Sequence, residues 1–572
     1  MLKSKNNHIY ILLIIILFSS FIFRLLGISW GLPHKSLCLR TFHPDEAAML
    51  YPMQNFKPSQ FKFDPGRLGP GDFLIYITGA GLKFASFFNI ITLSNDRLYY
   101  EKNLWETSKM YLIGRIIVNL FLLSANIILF ILIKKMFNSI IALLSVLIFN
   151  LIPITFTETI IYYPHIPVIL PVLLSFYFSY NIIYSNDYKN YLLAGLFAGL
   201  ASGIIYTGGF IIICVIIATW INSYYINHKF KIINIKVIYS FLICFFSFIL
   251  TGPYILKYYP RLLVILDSML NLKKNNVNYE SIDKLYYLYK GPVIGLGMPL
   301  YILGILSFIF VLYKIFSSKL SIKEKNNLLL IISGFLIYYL FWNIGKWQYS
   351  HYLITPYLFF SVIVAYFIWF CLNNYTRIKK TIFVIFFTVV LFSTGLYSYN
   401  ILKVFINKDI REKVSDYIIE NIPAESSIGV FSFYYSTPPV IQKIEQNKYK
   451  IINLTDNISK NQPVFSEEEL FSNYTKLITT PKISDTEMLN NIIQEFEKEK
   501  PDYFIFSSSE LISANYFNLF YQYFKNKNDY ELVKNFDGEL DILFNKYFVN
   551  NWKKEGRFLI INPSYKIFKK KI

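Results

Sequence analysis

The sequence predicts a polytopic α-helical membrane protein of about eleven transmembrane helices, followed by an extracytoplasmic α/β domain. The apolar content is too high and too evenly spread for a soluble chain: 54% of the 572 residues are hydrophobic, 16% are charged, and mean hydropathy is +0.41. The lysines gather in the short connections on one side of the apolar runs. After about residue 400 the pattern changes to short strand-like runs separated by polar stretches.

A helix needs about 18 or more apolar residues to cross a hydrocarbon core of about 30 Å, where only internal hydrogen bonds satisfy its backbone. Such runs lie at 9–27, 111–133, 139–157, 165–184, 234–252, 293–313, 327–342, 351–371 and 381–399. The first has no small-residue cleavage site and leads into further spans, so it reads as a helix and not as a cleaved signal. The stretch 191–222 is too long for one span and is interrupted by Gly199, Gly203, Gly208 and Gly209, which gives two short helices and a total of eleven. Lys3 and Lys5, Lys134 and Lys135, Lys189, and the clusters around Lys231, Lys323 and Lys379 then share one side, cytoplasmic by the positive-inside rule. A crossing by residues 72–91 would invert everything after them, so this run is expected as a helix in or near the outer interface.

The expected organisation is a transmembrane domain, 1–400, with an outer loop at 28–110, and a soluble extracytoplasmic domain, 401–572. The N-terminus is cytoplasmic in a plasma (inner) membrane. In the tail, KVSDYIIENIPAESSIGVF reads as helix, turn and strand, and YKIINL, DYFIFSS and RFLIIN as short buried strands. The net charge of +20 lies mostly in membrane-flanking loops, where orientation and anionic lipid account for it, so no nucleic-acid partner is expected. Cys38, Cys214, Cys244 and Cys371 form neither a disulfide framework nor a metal spacing. Aromatic residues are abundant throughout, and their stripes carry no functional weight.

The outer face collects the chemistry. Four of the six histidines, His34, His43, His165 and His351, fall there or at outer ends of spans. With them come Asp45 and Glu46 in RTFHPDEAAML, Arg115 near the outer end of the second span, and Lys346 in the loop GKWQYSHY. Ionisable groups at span ends are costly to bury unless they snorkel or serve a site. Carboxylates and cations together at the rim point to acid/base work beside an anionic head group.

The ordered series HPDE, DPGRLGPGDFLIYITGAGLKF, IGRIIVNL, YYPHIP, YLLAGLFAGLASGIIYTGG, GPVIGLGMPL and SHYLITPYLFF resembles the C-type glycosyltransferases of the protein O-mannosyltransferase and lipid A aminoarabinose transferase type, from residue 1 to about 420. The resemblance implies C-type glycosyltransferase architecture. It also implies transfer of a single sugar from a polyprenyl phosphate donor to a lipid, glycan or protein acceptor outside the membrane. Such a displacement needs a base for the incoming hydroxyl and positive charge at the leaving phosphate. Asp45 is the candidate base and Glu46 the group that positions acceptor or cation. Arg115, Lys346 and His351 are candidate phosphate partners, and His43 and His165 are further site or metal candidates. No cofactor is demanded, and a divalent metal remains an option. Two positions depart from the family pattern: His165 stands where relatives often have Asp, and Ile205 where they have Lys. The rival reading, a transporter or flippase, predicts internal repeats and charges at mid-depth, which this chain does not show. A WWDYG-like segment, expected of an oligosaccharyltransferase, is also missing from the sequence.

Overall fold

The computed structural model describes residues 2–66, 69, 71–227, 234–259, 285–317, 320–344, 348–431, 436–442, 448–455, 484–513, 515–538 and 561–571. The chain is a multi-pass helical membrane protein. Among the described residues seven helices are long and apolar enough to cross a membrane, from Asn7–Leu26 to the composite Arg377–Asn421. The pair Ser139–Leu151 and Pro153–Ile160 makes an eighth if it is one span. Three shorter helices, Ile169–Tyr184, Tyr188–Ile204 and Ile235–Thr251, occupy the places of other expected spans.

Two expectations about these helices change. The run 139–157 is not one straight helix: it bends by 64° at the Ile152–Pro153 junction. Proline has no N–H for the helical ladder, and the Asn150 carbonyl at the break instead accepts from Arg24 Nη2 at 3.3 Å, while the same nitrogen donates to Thr155 Oγ1 at 3.1 Å. In the 191–222 stretch the chain does break, at Ile205, but Gly199 and Gly203 lie inside the first helix. With Gly195 they form a four-residue repeat that meets the Ile235–Thr251 helix. A Cβ on any of them would run into the Ser240 carbonyl, the Cys244 carbonyl or the Thr251 side chain. Small residues at this spacing let two backbones approach in a membrane, where apolar burial alone gives helices no reason to associate.

Residues 72–91 contain the helix Phe73–Phe87. Its 15 residues span about 22 Å at about 1.5 Å each, short of the hydrocarbon core. It buries Leu74, Ile75 and Leu82, brings Gly81 against Ile113 and Ile117, and leaves Phe84 and Phe87 exposed. Just before it, Gly71 rests on the Gly203 and Ile204 carbonyls, so the loop closes directly over the end of the Tyr188–Ile204 helix.

Beyond the last long helix, Ile410–Asn421 leads into a five-stranded sheet of order β2-β1-β3-β5-β4. The strands are β1 (Ser427–Val430), β2 (Lys450–Asn453), β3 (Tyr503–Ser507), β4 (Tyr530–Phe536) and β5 (Tyr565–Lys570). The first three are parallel, with Ser427 opposite Lys450 and Ile428 opposite Tyr503, and β5 and β4 close the sheet antiparallel. The segments read as helix, turn and strand, and the strands in YKIINL and DYFIFSS, are found in place. Of RFLIIN, residues 557–560 lie outside the described residues; Ile561 and Asn562 precede the closing strand, which begins at Tyr565. One face of the sheet packs Ile428, Ile505 and Ile567 against Val414 and Ile418. The other packs Phe504 and Phe506 against Phe520 and Phe524.

Long-range contacts bring the expected outer segments to one face. Asp64 accepts from Lys257 Nζ at 2.6 Å and from the Tyr258 hydroxyl at 2.8 Å, tying the first loop to the segment after Thr251. Gly27 lies against Phe405 and Ile160, and Trp30 Nε1 donates to Asp409 at 2.8 Å. Cysteines placed at Asn95 and Asn526, both exposed, should therefore react together with an impermeant thiol reagent on intact cells, whereas one at Asn373, at the opposite end of the bundle, should react only after lysis. Protection of Asn95→Cys with labelling of Asn373→Cys would reverse the orientation.

The short helix after β3, Ser508–Ser513, contains a buried acid. Glu510 is 3% exposed and accepts from Ser436 Oγ at 2.7 Å and from the Ser507 N–H at 3.1 Å. Burial pushes its carboxyl from 4.5 up to about 8, against the opposing pull of those two hydrogen bonds. Below pH 4.5 it is protonated whether the chain is folded or not. Between about 4.5 and 8 the unfolded chain gives up a proton that the folded one keeps, so stability here falls as pH rises. After correction for intrinsic rates, amide exchange in β1 and β3 of the full-length protein should accelerate from pH 5 to pH 8. Glu510→Gln should remove that acceleration, and an unchanged pH slope in the variant would assign it to another group.

Candidate functional site

The acid pair opens a short helix, Pro44–Leu50. His43 is its N-cap in extended conformation, with Nδ1 accepting from the Asp45 N–H at 3.3 Å. Pro44 occupies the first turn, where its missing N–H costs nothing, and the two carboxylates sit where the helix end favours negative charge. The local sequence thus fixes the pair on one turn, and tertiary contacts then separate the two acids.

Glu46 is fully buried and saturated. Its Oε1 accepts from Arg115 Nε at 2.8 Å and from the Tyr162 N–H at 2.7 Å; its Oε2 accepts from Arg115 Nη2 at 2.6 Å and from Thr41 Oγ1 at 2.5 Å. Arg115, also fully buried, uses Nη1 on the Ile28 and Trp30 carbonyls at 2.6 and 2.7 Å. This bidentate pair satisfies both charges by hydrogen bonds, the condition under which a buried ion pair is tolerated. The guanidinium of Arg115, a candidate donor-phosphate partner by sequence, is engaged here by Glu46 and two carbonyls. Glu46, the candidate for positioning acceptor or cation, accepts two hydrogen bonds on each oxygen. Asp45, one position along the helix, is partly exposed.

The histidines divide in a similar way. His43 is buried beneath the helix it caps. His165 and His351, widely separated in the chain, come together with ring centroids 4.5 Å apart, among Tyr163, Tyr349 and Tyr352, and Tyr352 stacks on Trp342 at 4.0 Å. His34 is elsewhere, its Nδ1 2.9 Å from Ser108 Oγ and its ring edge-on to Trp105. Among the described residues no three His, Cys, Asp or Glu side chains converge, so His43 and His165 do not share a metal-binding cluster of that size. Lys346 lies outside the described residues.

A cleft of about 2380 Å³ opens beside this region, between the first loop and the sheet-bearing unit. Arg40, Tyr51 and Tyr76 line it on one side and Thr437, Gln442 and Asn453 on the other. It starts at the C-terminal end of the Pro44–Leu50 helix and is not lined by Asp45 or Glu46. No sequence signal marks Thr41, the Tyr162 N–H, or the far wall of the cleft, since each depends on chain segments that meet only in the fold.

Arg115→Met removes the cation and keeps most of the length, leaving Glu46 a buried charge with two weaker donors. The loss should be about 3–5 kcal/mol. It should appear as a lower melting midpoint in detergent, with much of it restored in the double variant Glu46→Gln, Arg115→Met. A wild-type midpoint in the single variant would deny the pair its structural role.

Residues 109–254 match the family model described as dolichyl-phosphate-mannose-protein mannosyltransferase, a stretch that includes Arg115, Tyr162 and His165. No curated protein matches the chain by sequence. Among solved structures, similar ones include the Archaeoglobus fulgidus oligosaccharyltransferase AglB in complex with an inhibitory peptide and a dolichol-phosphate, at 11% identity over 95% of this chain and 77% of that one, with a TM-score of 0.47. Another is ArnT from Cupriavidus metallidurans bound to undecaprenyl phosphate, at 11% identity over 80% of this chain and 88% of that one, with a TM-score of 0.45.

Proposed function

We propose that this protein is a glycosyltransferase that takes one sugar from a polyprenyl phosphate donor and delivers it to a lipid, glycan or protein acceptor on the outer face of a plasma (inner) membrane. The observation that carries the reading is the pairing of motif and match: the family model covers Arg115 and Tyr162, the groups that hold Glu46, and Glu46 in turn fixes the helix that presents Asp45. The ordered motifs from HPDE to SHYLITPYLFF support the same class.

In this reading the acceptor hydroxyl attacks the anomeric carbon while the bond from that carbon to the phosphate oxygen breaks. The hydroxyl proton passes to the Asp45 carboxylate, and the polyprenyl phosphate leaves with the bonding electrons. The growing phosphate charge calls for cationic or N–H donors on its side, and His351 with its neighbour His165, together with Lys346, are the candidates. Glu46 and Arg115 act at one remove, holding the helix. The cleft between loop and sheet is the acceptor's approach, wide enough for a glycan or a peptide segment.

Asp45→Asn keeps the shape of the side chain and removes the charge. Transfer from a polyprenyl phosphate sugar should drop by about 10²–10⁴ with donor binding and melting midpoint unchanged. Near-normal turnover by well-folded Asp45→Asn protein would remove Asp45 from the reaction. Accumulation of a single polyprenyl phosphate sugar in cells lacking the protein would identify the donor.

A further inference from the structure

We propose that the sheet-bearing unit positions the acid-bearing segment, with Arg411 as the positioning residue acting through Phe42. The inference rests on the reading of Asp45 as base and concerns what holds that base in place. Arg411 belongs to the first turn of Ile410–Asn421, and its side chain is fully buried. Its guanidinium lies over the Phe42 ring, 4.5 Å from the centroid, and 5.9 Å from that of Trp30. Asp409 holds the guanidinium in that plane: both its oxygens accept from Arg411 Nη1 at 3.0 Å, and Oδ2 also accepts from the Trp30 indole at 2.8 Å. Asp409 is itself fixed as the N-cap, in a reciprocal box with Glu412.

Phe42 is gripped from its own side too. Its N–H donates to the Gly31 carbonyl at 3.0 Å, and its ring stands edge-on to Trp30 at 5.8 Å. Gly31 has φ +58°, and a Cβ there would overlap the Phe42 ring, so the turn allows this approach only for glycine. Phe42 directly precedes His43, the cap of the helix that carries Asp45. That helix therefore has two anchors: Glu46 ties its inner face to Arg115, and Phe42 ties its entry to Arg411. One anchor fixes a point and two fix an orientation, and a misplacement of about 1 Å at a reacting group costs about 10²-fold in rate. An apolar residue in place of Arg411 would fill space over Phe42 but would not hold the Trp30–Asp409 contact in register. The same unit contributes Thr437, Gln442 and Asn453 to the cleft, so an acceptor bound there touches the body that sets the base.

The test uses full-length protein with the native cysteines replaced. The first readout is the rate at which a thiol reagent labels Ala48→Cys, a half-buried position on the Asp45 helix. The second is kcat against donor KM. Arg411→Met should raise the labelling rate about tenfold and lower kcat by about 10- to 100-fold, leaving donor KM within about twofold. Trp30→Phe, which keeps one aromatic ring and removes the indole donor with its five-membered ring, should show the same signature in smaller measure, and it carries the test if Arg411→Met does not fold. Arg411→Lys, which keeps the charge without the planar face, should recover only part of kcat. Lys527→Ala, on the far side of the sheet unit, should change neither readout. Wild-type labelling and kcat in folded Arg411→Met and Trp30→Phe would overturn the proposal, as would an equal effect from Lys527→Ala. If wild-type protein transfers no sugar, the proposed reaction fails on its own, and the labelling rates still decide the clamp.

Discussion

The bidentate contact between Glu46 and Arg115 is the constraint on which the rest of this face depends. Two opposite charges are buried completely where a membrane protein least tolerates an unmatched one, and each is matched. The pair and its neighbours join four remote pieces of chain: the turn at Ile28–Trp30, the Pro44–Leu50 helix, the Leu104–Met136 helix that carries Arg115, and the Tyr162 backbone. Because successive helical residues are rotated by about 100°, an inward Glu46 carries Asp45 to a different aspect of the same turn. An acid pair that looks redundant in sequence becomes one fully buried carboxylate and one partly exposed carboxylate.

The helical bundle supplies the fixed frame for that arrangement. Its close contacts come from small residues and from side chains that bond to carbonyls on other helices: Ser175 to Ala194, Asn222 to Ile183, Asn327 to Met136, Ser398 to Leu151. Such contacts are directional, unlike apolar packing in lipid, and they set how far one helix can slide along another. The bend at Pro153 also belongs to this frame. It turns Pro153–Ile160 out of line with the preceding helix, so the chain that follows reaches Tyr162 beside Glu46 and His165 beside His351.

The sheet-bearing unit is part of the same site in a physical sense. Trp30, Phe42, Ile160 and Phe405 form a buried apolar cluster that joins the first loop, the bent helix and the last long helix, and Asp409 begins the next helix at its edge. The unit also forms one wall of the cleft. A ligand in that cleft would contact both bodies at once.

The helical membrane class is legible in the residues alone: hydropathy locates the long spans, the Gly-interrupted stretch reads as two helices, and the short runs near Ser427, Lys450 and Tyr503 read as strands. Each of these signals is local, arising within one helix or strand. HPDE was legible for a similar reason, since His43, Pro44, Asp45 and Glu46 build one helical start. What each residue contacts there follows only from the fold. Glu46 meets Arg115 across 69 positions, Tyr162 across 116, and Trp30 meets Asp409 across 379. Hydrophobic periodicity says that a side chain is buried; it does not say which opposite charge is buried beside it. For that reason Arg115 reads in sequence as a cation at a membrane rim, and only the fold shows its guanidinium paired with a buried Glu46 beside a partly exposed Asp45.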